Sequence, residues 1–243
     1  MKKLLGYILS PIAIFAFFLL LLIFHPIQWM CYNWGGYKAH KRSVDLLNFF
    51  LLHTAYIMGG SVTFINKHNL PLDRPIIFIV NHQSLFDIPP LIYYLRKYHA
   101  KFISKVELTK GVPSISYNLK VGGGANIDRK DPRQSITELV NLATRMKNNN
   151  WSAVIFPEGT RSKNGKVKPF QSAGVATLLK KCPNALLVPI AIKDSWKMNR
   201  YGSYPLNPFT PMTWTVLEPI EPGKTPVDEL MKEAEDKIKA VVE

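Results

Sequence analysis

The segment PIIFIVNHQSLFD, residues 75–87, contains a run of apolar residues, 76–80, that is followed at once by polar side chains. A short, continuously apolar run that is rich in β-branched residues predicts a strand buried on both faces of a sheet. A second segment of this kind is SAVIFPEGTRS, residues 152–162. If the two strands are parallel, the polar loops that follow them lie at the same edge of the sheet.

Comparable apolar runs recur through the chain after Gly59-Gly60, and helical patterns lie between them. We predict strands over residues 61–66, 75–80, 100–104, 152–156, 185–192 and 212–218. We predict helices that begin after Asp131, at Ala173 and at Thr225. N-capping residues mark the first, Pro183 ends the second, and an apolar stripe marks the third. This alternation predicts an α/β fold with a mixed, largely parallel sheet flanked by helices.

The first 60 residues differ from the rest of the chain. Residues 4–37 contain no Asp, Glu, Lys or Arg, and a second apolar stretch, residues 44–58, follows closely. The length fits a membrane helix, and the lack of a small-residue cleavage site argues against a secretory signal peptide. We predict that residues 1–60 form a hydrophobic helical hairpin for membrane attachment and residues 61–243 the α/β domain. The alternative is that residues 44–58 form an ordinary core helix.

The charge of the chain is strongly positive, with 31 Lys and Arg against 17 Asp and Glu, for a net charge of +14. The excess lies in residues 61–217, and it is spread along that region without a Lys/Arg-rich run. An anionic partner is therefore expected, such as a membrane surface or an acidic small molecule. Zinc-finger spacing and RNA-binding aromatic motifs are absent, so nucleic acid is not predicted. Two cysteines in so long a chain exclude a disulfide scaffold.

His82 and Asp87 are the candidate catalytic pair. An imidazole suits proton transfer near neutral pH, and a carboxylate on its other nitrogen fixes the tautomer. The five-residue spacing allows contact only if the chain turns between them, and Pro89-Pro90 indicates that a helix begins near Asp87. The alternative is that Asp87 only caps this helix and His82 is a surface residue. Without a serine or cysteine nucleophile nearby, the pair suits removal of a proton from a substrate hydroxyl.

The loop from Glu158 to Ser162 is the candidate anion-binding segment. A Gly-Thr-Arg turn after a strand offers backbone N–H groups, a hydroxyl and a guanidinium together. Arg has the planar fork that best matches a phosphate or a carboxylate. The lysines at 163, 166 and 168 follow, and they are equally well explained as a solvated hairpin.

At these residues the sequence resembles the glycerolipid acyltransferases. Their Asn-His-x4-Asp motif corresponds to residues 81–87, and their Phe-Pro-Glu-Gly-Thr-Arg-Ser motif corresponds to residues 156–162. A glycine-rich motif that ends in arginine is matched by Gly122–Arg129, and an apolar-Pro-apolar strand by Leu187–Ile190. The resemblance covers about residues 60–220.

The resemblance implies a role for each matched residue. His82 is expected to be the general base, and Asp87 is expected to orient it. Acceptor binding is expected from the residues of the second loop and from two further cations: Glu158, Gly159, Thr160, Arg161, Arg129 and Lys105. The family uses no metal and no cofactor beyond its thioester co-substrate.

The resemblance also implies the substrates. The expected reaction moves a fatty acyl group from acyl carrier protein or coenzyme A to lysophosphatidic acid, which makes phosphatidic acid for phospholipid synthesis. The expected location is the cytoplasmic face of a bacterial inner membrane, with the bilayer as a partner. Another lysolipid acceptor, or a catalytically silent membrane lipid-binding protein, are the alternatives.

Overall fold

A computed structural model describes residues 1–243. Its strands are β1 (Ser61–Ile65), β2 (Ile76–Val80), β3 (Lys101–Lys105), β4 (Ala125–Ile127), β5 (Ala153–Ile155), β6 (Leu186–Lys193) and β7 (Pro211–Val216). They form one sheet in the order β1-β7-β6-β2-β5-β3-β4. The β6-β7 pair is antiparallel and every other pair is parallel. The predicted mixed, largely parallel sheet is confirmed.

Six α-helices accompany the sheet: α1 (Lys2–Ile57), α2 (Ile88–Tyr94), α3 (Ile115–Val121), α4 (Pro132–Asn149), α5 (Ala173–Lys181) and α6 (Val227–Val242). The predicted helix starts are close to the observed ones. Asp131 caps α4, since its carboxylate accepts the Gln134 main-chain N–H at 3.0 Å. β4 and α3 were not predicted, because β4 has three residues and α3 seven, too few to show a clear period.

Both faces of the sheet are buried, as the uninterrupted apolar sequence of β2 requires. Ile76, Phe78 and Val80 point into the core that lies beneath α1 and α2. Ile77 and Ile79 point into the core on the other face, where they meet side chains of α4, α5 and α6. All five β2 side chains are fully buried. The strand is therefore held rigidly from both sides, and the loop that follows it has a fixed starting point.

The helix α1 folds back on itself at Gly36, where φ is 68° and ψ is −169°. A positive φ of this kind costs glycine little, and here it reverses the direction of the helix. The two arms run side by side: the rings of Phe24 and Phe50 are 6.0 Å apart, and those of Tyr32 and His40 are 5.7 Å apart. The predicted hairpin is present, but its first arm continues through Pro26 to the turn.

The second arm of the hairpin packs on two sides. Leu47 and Leu51 contact Leu21 and Phe24 of the first arm. Further along, Ala55 and Met58 join the core that lies between the sheet and the helices α1 and α2. Both interpretations of residues 44–58 therefore describe part of this arm. By length and composition, α1 is the only helix that could cross a membrane.

Candidate active site

Four strands bring the predicted site residues to one edge of the sheet. β2 pairs with β5, β5 with β3, and β3 with β4, all in parallel. Their carboxyl ends therefore point the same way, and the loops after β2 and β5 are joined directly: the Ser162 main-chain N–H donates to the carbonyl oxygen of His82 at 2.7 Å. This edge is where ligands bind in open α/β sheets.

The His82 ring contacts the Asp87 carboxylate. The distance from Nδ1 to Oδ2 is 2.7 Å, and the Asp87 side chain is completely buried while 18% of the His82 side chain is exposed. An ionised carboxylate only accepts hydrogen bonds, so Nδ1 carries the proton of the neutral ring. Nε2 is left with a lone pair and has no hydrogen-bonding partner within the chain, so it can take a proton from a bound molecule.

The turn between the two residues is built by Asp87 itself. Its Oδ2 also accepts the main-chain N–H groups of Gln83 at 2.7 Å and Ser84 at 2.9 Å. In return the Ser84 hydroxyl accepts the N–H of Phe86, which completes a capping box at the start of the 3₁₀ turn Leu85–Asp87. The carboxylate thus holds the turn and contacts the histidine at once. Its side chain makes no capping hydrogen bond at the start of α2, so the alternative that Asp87 only caps this helix is wrong.

An aromatic ring supports the other side of His82. Phe156 stacks on the imidazole with ring centroids 4.2 Å apart and an angle of 25° between the planes. Phe156 directly follows β5, so the adjacent strand holds the ring face while Asp87 holds the ring edge. The imidazole plane is fixed by both contacts, and a fixed base needs little reorganisation before it accepts a proton.

Glu158 joins the two loops through their main chains. It is 7% exposed. Its Oε1 accepts the N–H of His82 at 2.9 Å, and its Oε2 accepts the N–H of Lys168 at 3.3 Å. Burial raises the pKa of this carboxyl to about 7, although the two N–H donors favour the ionised form.

The predicted cations of the site are exposed at the same edge. Lys105 ends β3, Arg129 follows β4, and Arg161 follows β5. None of their side chains makes a hydrogen bond or ion pair within the chain, although a carboxylate partner would be the usual arrangement for a structural cation. Their charge is therefore available to an anion that binds at the edge.

Gly159 and Thr160 shape the loop before Arg161. Gly159 has a φ of 69°, and a Cβ atom placed there would meet nothing within 4 Å. Its glycine is therefore needed for the backbone conformation and not for space. The Lys168 ammonium donates to the carbonyl oxygen of Arg161 at 2.9 Å, which holds the end of this turn.

A polar contact beneath the His82–Asp87 pair was not predicted from the sequence. The Ser195 hydroxyl donates to Oδ1 of Asp87 at 2.5 Å, and Ser195 is fully buried. Ser195 lies 108 residues from Asp87. The one available signal was its place just beyond β6, which is the other neighbour of β2 in the sheet.

A family model described as Acyltransferase matches residues 61–193, and the chain belongs to that family. The resemblance seen in the sequence is confirmed.

Individual relatives are similar over the same region. The chain is 33% identical over 171 residues to the chloroplastic 1-acyl-sn-glycerol-3-phosphate acyltransferase BAT2 of Brassica napus, which covers 70% of this chain and 47% of the relative. It is 30% identical over 130 residues to 1-acyl-sn-glycerol-3-phosphate acyltransferase alpha of Ovis aries, with 54% of this chain and 45% of the relative covered. The chain thus spans about half the length of these curated relatives.

The crystal structure of the 1-acyl-sn-glycerophosphate acyltransferase PlsC from Thermotoga maritima has the same fold. The two structures superpose with a TM-score of 0.79, covering 100% of this chain and 97% of the other at 22% sequence identity. Because the coverage is nearly complete, the likeness includes the helical hairpin as well as the α/β domain.

Proposed function

We propose that this chain transfers a fatty acyl group from an acyl thioester to the free hydroxyl of 1-acylglycerol-3-phosphate, which makes phosphatidic acid. The observation that carries the proposal is the His82–Asp87 pair, 2.7 Å apart, with Nε2 unpartnered at a sheet edge that also holds three unpaired cations. The names of the relatives support the same acceptor.

The proposed reaction is a direct acyl transfer. Nε2 of His82 accepts the proton of the acceptor hydroxyl, and the hydroxyl oxygen attacks the thioester carbonyl carbon. The new carbon–oxygen bond forms, the carbon–sulfur bond breaks, and the proton passes from the imidazolium to the departing thiolate. Asp87 stabilises the imidazolium, and general-base catalysis of this type contributes roughly 10²–10⁴-fold. The reaction as proposed requires no metal and no cofactor besides the thioester.

The acceptor phosphate is proposed to bind to Arg161, Arg129 and Lys105. Gly159 and Thr160 would set the direction of the Arg161 side chain. Glu158 is proposed to act on this site indirectly, because both of its oxygens are already occupied by main-chain N–H groups. A carboxylate that faced the phosphate directly would repel it, whereas Glu158 holds the loop that carries the arginine.

The remaining partners follow from charge and exposure. The thioester donor is proposed to be carried by acyl carrier protein or coenzyme A, both of which are acidic and suit the basic region 61–217. Residues 1–60 are proposed to anchor residues 61–243 to a bilayer, on the cytoplasmic face of a bacterial inner membrane. The lysolipid would then reach the site without leaving the membrane surface.

The test is a thiol-release assay on the purified protein, with lysophosphatidic acid, other lysophospholipids and a lyso-aminolipid as acceptors. Each acceptor is combined with acyl-coenzyme A and acyl carrier protein thioesters. We expect turnover with lysophosphatidic acid and a loss of at least 100-fold in His82→Ala. His68→Ala, on a half-buried histidine away from the edge, is the matched control. Preference for another lysolipid would correct the acceptor, and binding without turnover would favour a silent lipid-binding protein.

A further inference from the structure

The carboxylate of Asp87 has two oxygens with separate partners. Oδ2 faces the His82 ring and the main chain of the turn, whereas Oδ1 accepts a single hydrogen bond, from the Ser195 hydroxyl at 2.5 Å. Both Asp87 and Ser195 are completely buried, so no water can replace this bond without a rearrangement. Short bonds from a hydroxyl to a carboxylate are among the stronger hydrogen bonds in proteins.

Two acceptors lie near the Ser195 hydroxyl, and the Asp87 carboxylate is the better one. The hydroxyl oxygen is also 3.3 Å from Oε1 of Gln83, but that distance is longer and the amide oxygen is uncharged. A serine has a single O–H donor, so the nearer, charged carboxylate receives it. Gln83 Oε1 accepts instead from the main-chain N–H of Trp196, at 3.4 Å.

The sheet places Ser195 accurately beneath the pair. β6 lies beside β2, and Val80 is in register with Ile190. Beyond this register the Asn81 side chain continues the pairing: its Nδ2 donates to the carbonyl of Ile192 at 2.9 Å, and its Oδ1 accepts the Ile192 N–H at 2.7 Å. The loop after β6 is therefore fixed to the loop after β2 before either chain turns.

The chain then turns sharply to present the hydroxyl. Asp194 has a φ of 72°, in the left-handed region, and Ser195 begins the 3₁₀ turn Ser195–Asn199. A left-handed aspartate is uncommon and costs some backbone energy, so its surroundings must hold it. An ion pair of 2.9 Å between Asp194 and Lys197 and the bond from Ser195 to Asp87 both do so.

We propose that Ser195 is a positioning residue for the catalytic base. It holds the Asp87 carboxylate with Oδ2 toward His82, and its hydrogen bond lowers the proton affinity of the His82–Asp87 pair. The proposal rests on the proposed acyl transfer, in which the pair must be unprotonated to accept the hydroxyl proton. Removal of the donor leaves more negative charge on the carboxylate, so the pair binds its own proton more tightly.

The expected result for Ser195→Ala is a shift of the acid limb of kcat/KM to higher pH, by about one unit, since a hydrogen bond to a charged group has an effect of that size. The kcat at the optimum should fall about 10-fold, because a carboxylate that is no longer held leaves the base less well oriented. Ser195→Thr keeps the hydroxyl and should restore the limb, and Ser195→Cys, a weaker donor, should give an intermediate shift. The other charged groups near the pair, Glu158 and the Asp194–Lys197 ion pair, are present in all variants.

The matched control is Ser152→Ala. Ser152 is also buried and its hydroxyl accepts the Ile76 N–H at 3.1 Å, but it lies at the amino-terminal edge of the same sheet. It should lose stability without moving the pH profile. A Ser195→Ala or Ser195→Cys protein that folds and keeps the wild-type acid limb would overturn the proposal.

A second measurement separates this proposal from the proposed function. The imidazole of His82 is titrated by nitrogen NMR in wild type and in Ser195→Ala, with His82→Ala used to assign its signal. An upward shift of the titration midpoint supports the role of Ser195 even if no thiol is released by the wild type. An unchanged midpoint rejects that role even if the wild type is a fast acyltransferase.

Discussion

Oε1 of Glu158 accepts the main-chain N–H of His82 at 2.9 Å, across the boundary between two adjacent parallel strands. The loop that carries the proposed phosphate-binding arginine is therefore hydrogen-bonded to the loop that carries the proposed base. The Ser162 main-chain N–H, which donates to the His82 carbonyl oxygen at 2.7 Å, is a second link between the same loops. The same bond places a buried carboxyl group beside the pair, and the titration of that carboxyl has a measurable consequence.

The first prediction concerns stability and Glu158. Burial raises the pKa of this carboxyl to about 7, from an ordinary value of 4.5. The folded state thus binds a proton more tightly than the unfolded state, so this group's contribution is present below about pH 4.5 and is lost as pH rises through 7. In Glu158→Gln this pH-dependent loss of stability should be absent. The difference in the free energy of unfolding between wild type and Glu158→Gln should therefore change by on the order of 2 kcal/mol over this pH range.

The measurement is urea unfolding of wild type and Glu158→Gln between pH 5 and pH 8. Glu107→Gln, on an exposed carboxylate, is the control and should follow the wild-type curve. Glutamine cannot accept both N–H groups, so Glu158→Gln should also reduce thiol release through the loop. Identical pH dependence in all three proteins would show that the carboxyl titrates normally.

The second prediction concerns Arg161, whose guanidinium is exposed and unpaired. Arg161→Ala should raise the acceptor KM about 10- to 100-fold and leave kcat nearly unchanged, because a phosphate anchor acts equally in the ground and transition states. Arg161→Lys should recover only part of the affinity, since an ammonium lacks the planar fork. Lys163→Ala, on the neighbouring exposed cation, is the control. A lower kcat at constant KM would rule out a simple anchoring role.

The third prediction concerns Lys101, which is buried at the start of β3. Its ammonium donates to the Gly122 carbonyl at 2.6 Å and lies 4.7 Å from the ring centre of Tyr37 and 4.6 Å from that of Trp151. Burial, followed by the charge of Lys41, lowers the pKa of Lys101 to about 7. Tyr37 directly follows the hairpin turn at Gly36, so Lys101 links the turn of the hairpin to strand β3 of the sheet.

Lys101 changes the stability of the protein with pH in the opposite direction to Glu158. Between about pH 7 and 10.5 the unfolded state holds more protons at this lysine than the folded state, so stability should rise with pH in that window. The resulting gain in the free energy of unfolding between pH 7 and pH 9 has an upper bound of about 3 kcal/mol. Lys101→Met should lack it, while Lys105→Met, at the exposed end of the same strand, should keep it. Urea midpoints at the two pH values test this, and equal slopes in Lys101→Met and wild type would contradict it.

The sequence predicted that the two polar loops lie at one edge of the sheet, but it did not predict the contacts beneath them. The apolar run of β2 and the polar residues after it are adjacent in the chain, so the histidine and its aspartate could be predicted together. The partner of Asp87 Oδ1 depends on β6 lying beside β2, which is a property of strand order and not of any local pattern. Ser195 was missed for that reason.

In the hairpin, too, the local sequence predicted the helices and did not predict the contacts between them. Its apolar composition indicated two helices, but composition alone did not place the turn at Gly36, and Pro26 lies within the first arm without ending it. A proline removes one helix hydrogen bond and does not by itself end a helix whose neighbouring arm holds it in place. Packing between Phe24 and Phe50 is a contact between arms, and only the folded chain reveals it.

The last prediction concerns the outer face of the hairpin. Apolar side chains on its first arm are exposed at helical spacing, with Ile8 at 61%, Phe15 at 68% and Leu22 at 58%, while the other side of the arm packs against the protein. So large an exposed apolar stripe suits a lipid surface.

Phe15→Asp combined with Leu22→Asp should therefore reduce binding to vesicles of phosphatidylethanolamine and phosphatidylglycerol by about 100-fold or more, because each side chain loses roughly 1.5–3 kcal/mol of transfer free energy. Leu72→Asp, on a residue that is equally exposed at 58% but lies on the α/β domain, is the matched control. Flotation of the three proteins with vesicles measures the difference. If the double variant floats as well as Leu72→Asp, the basic surface of the domain holds the protein on the membrane and the hairpin face does not.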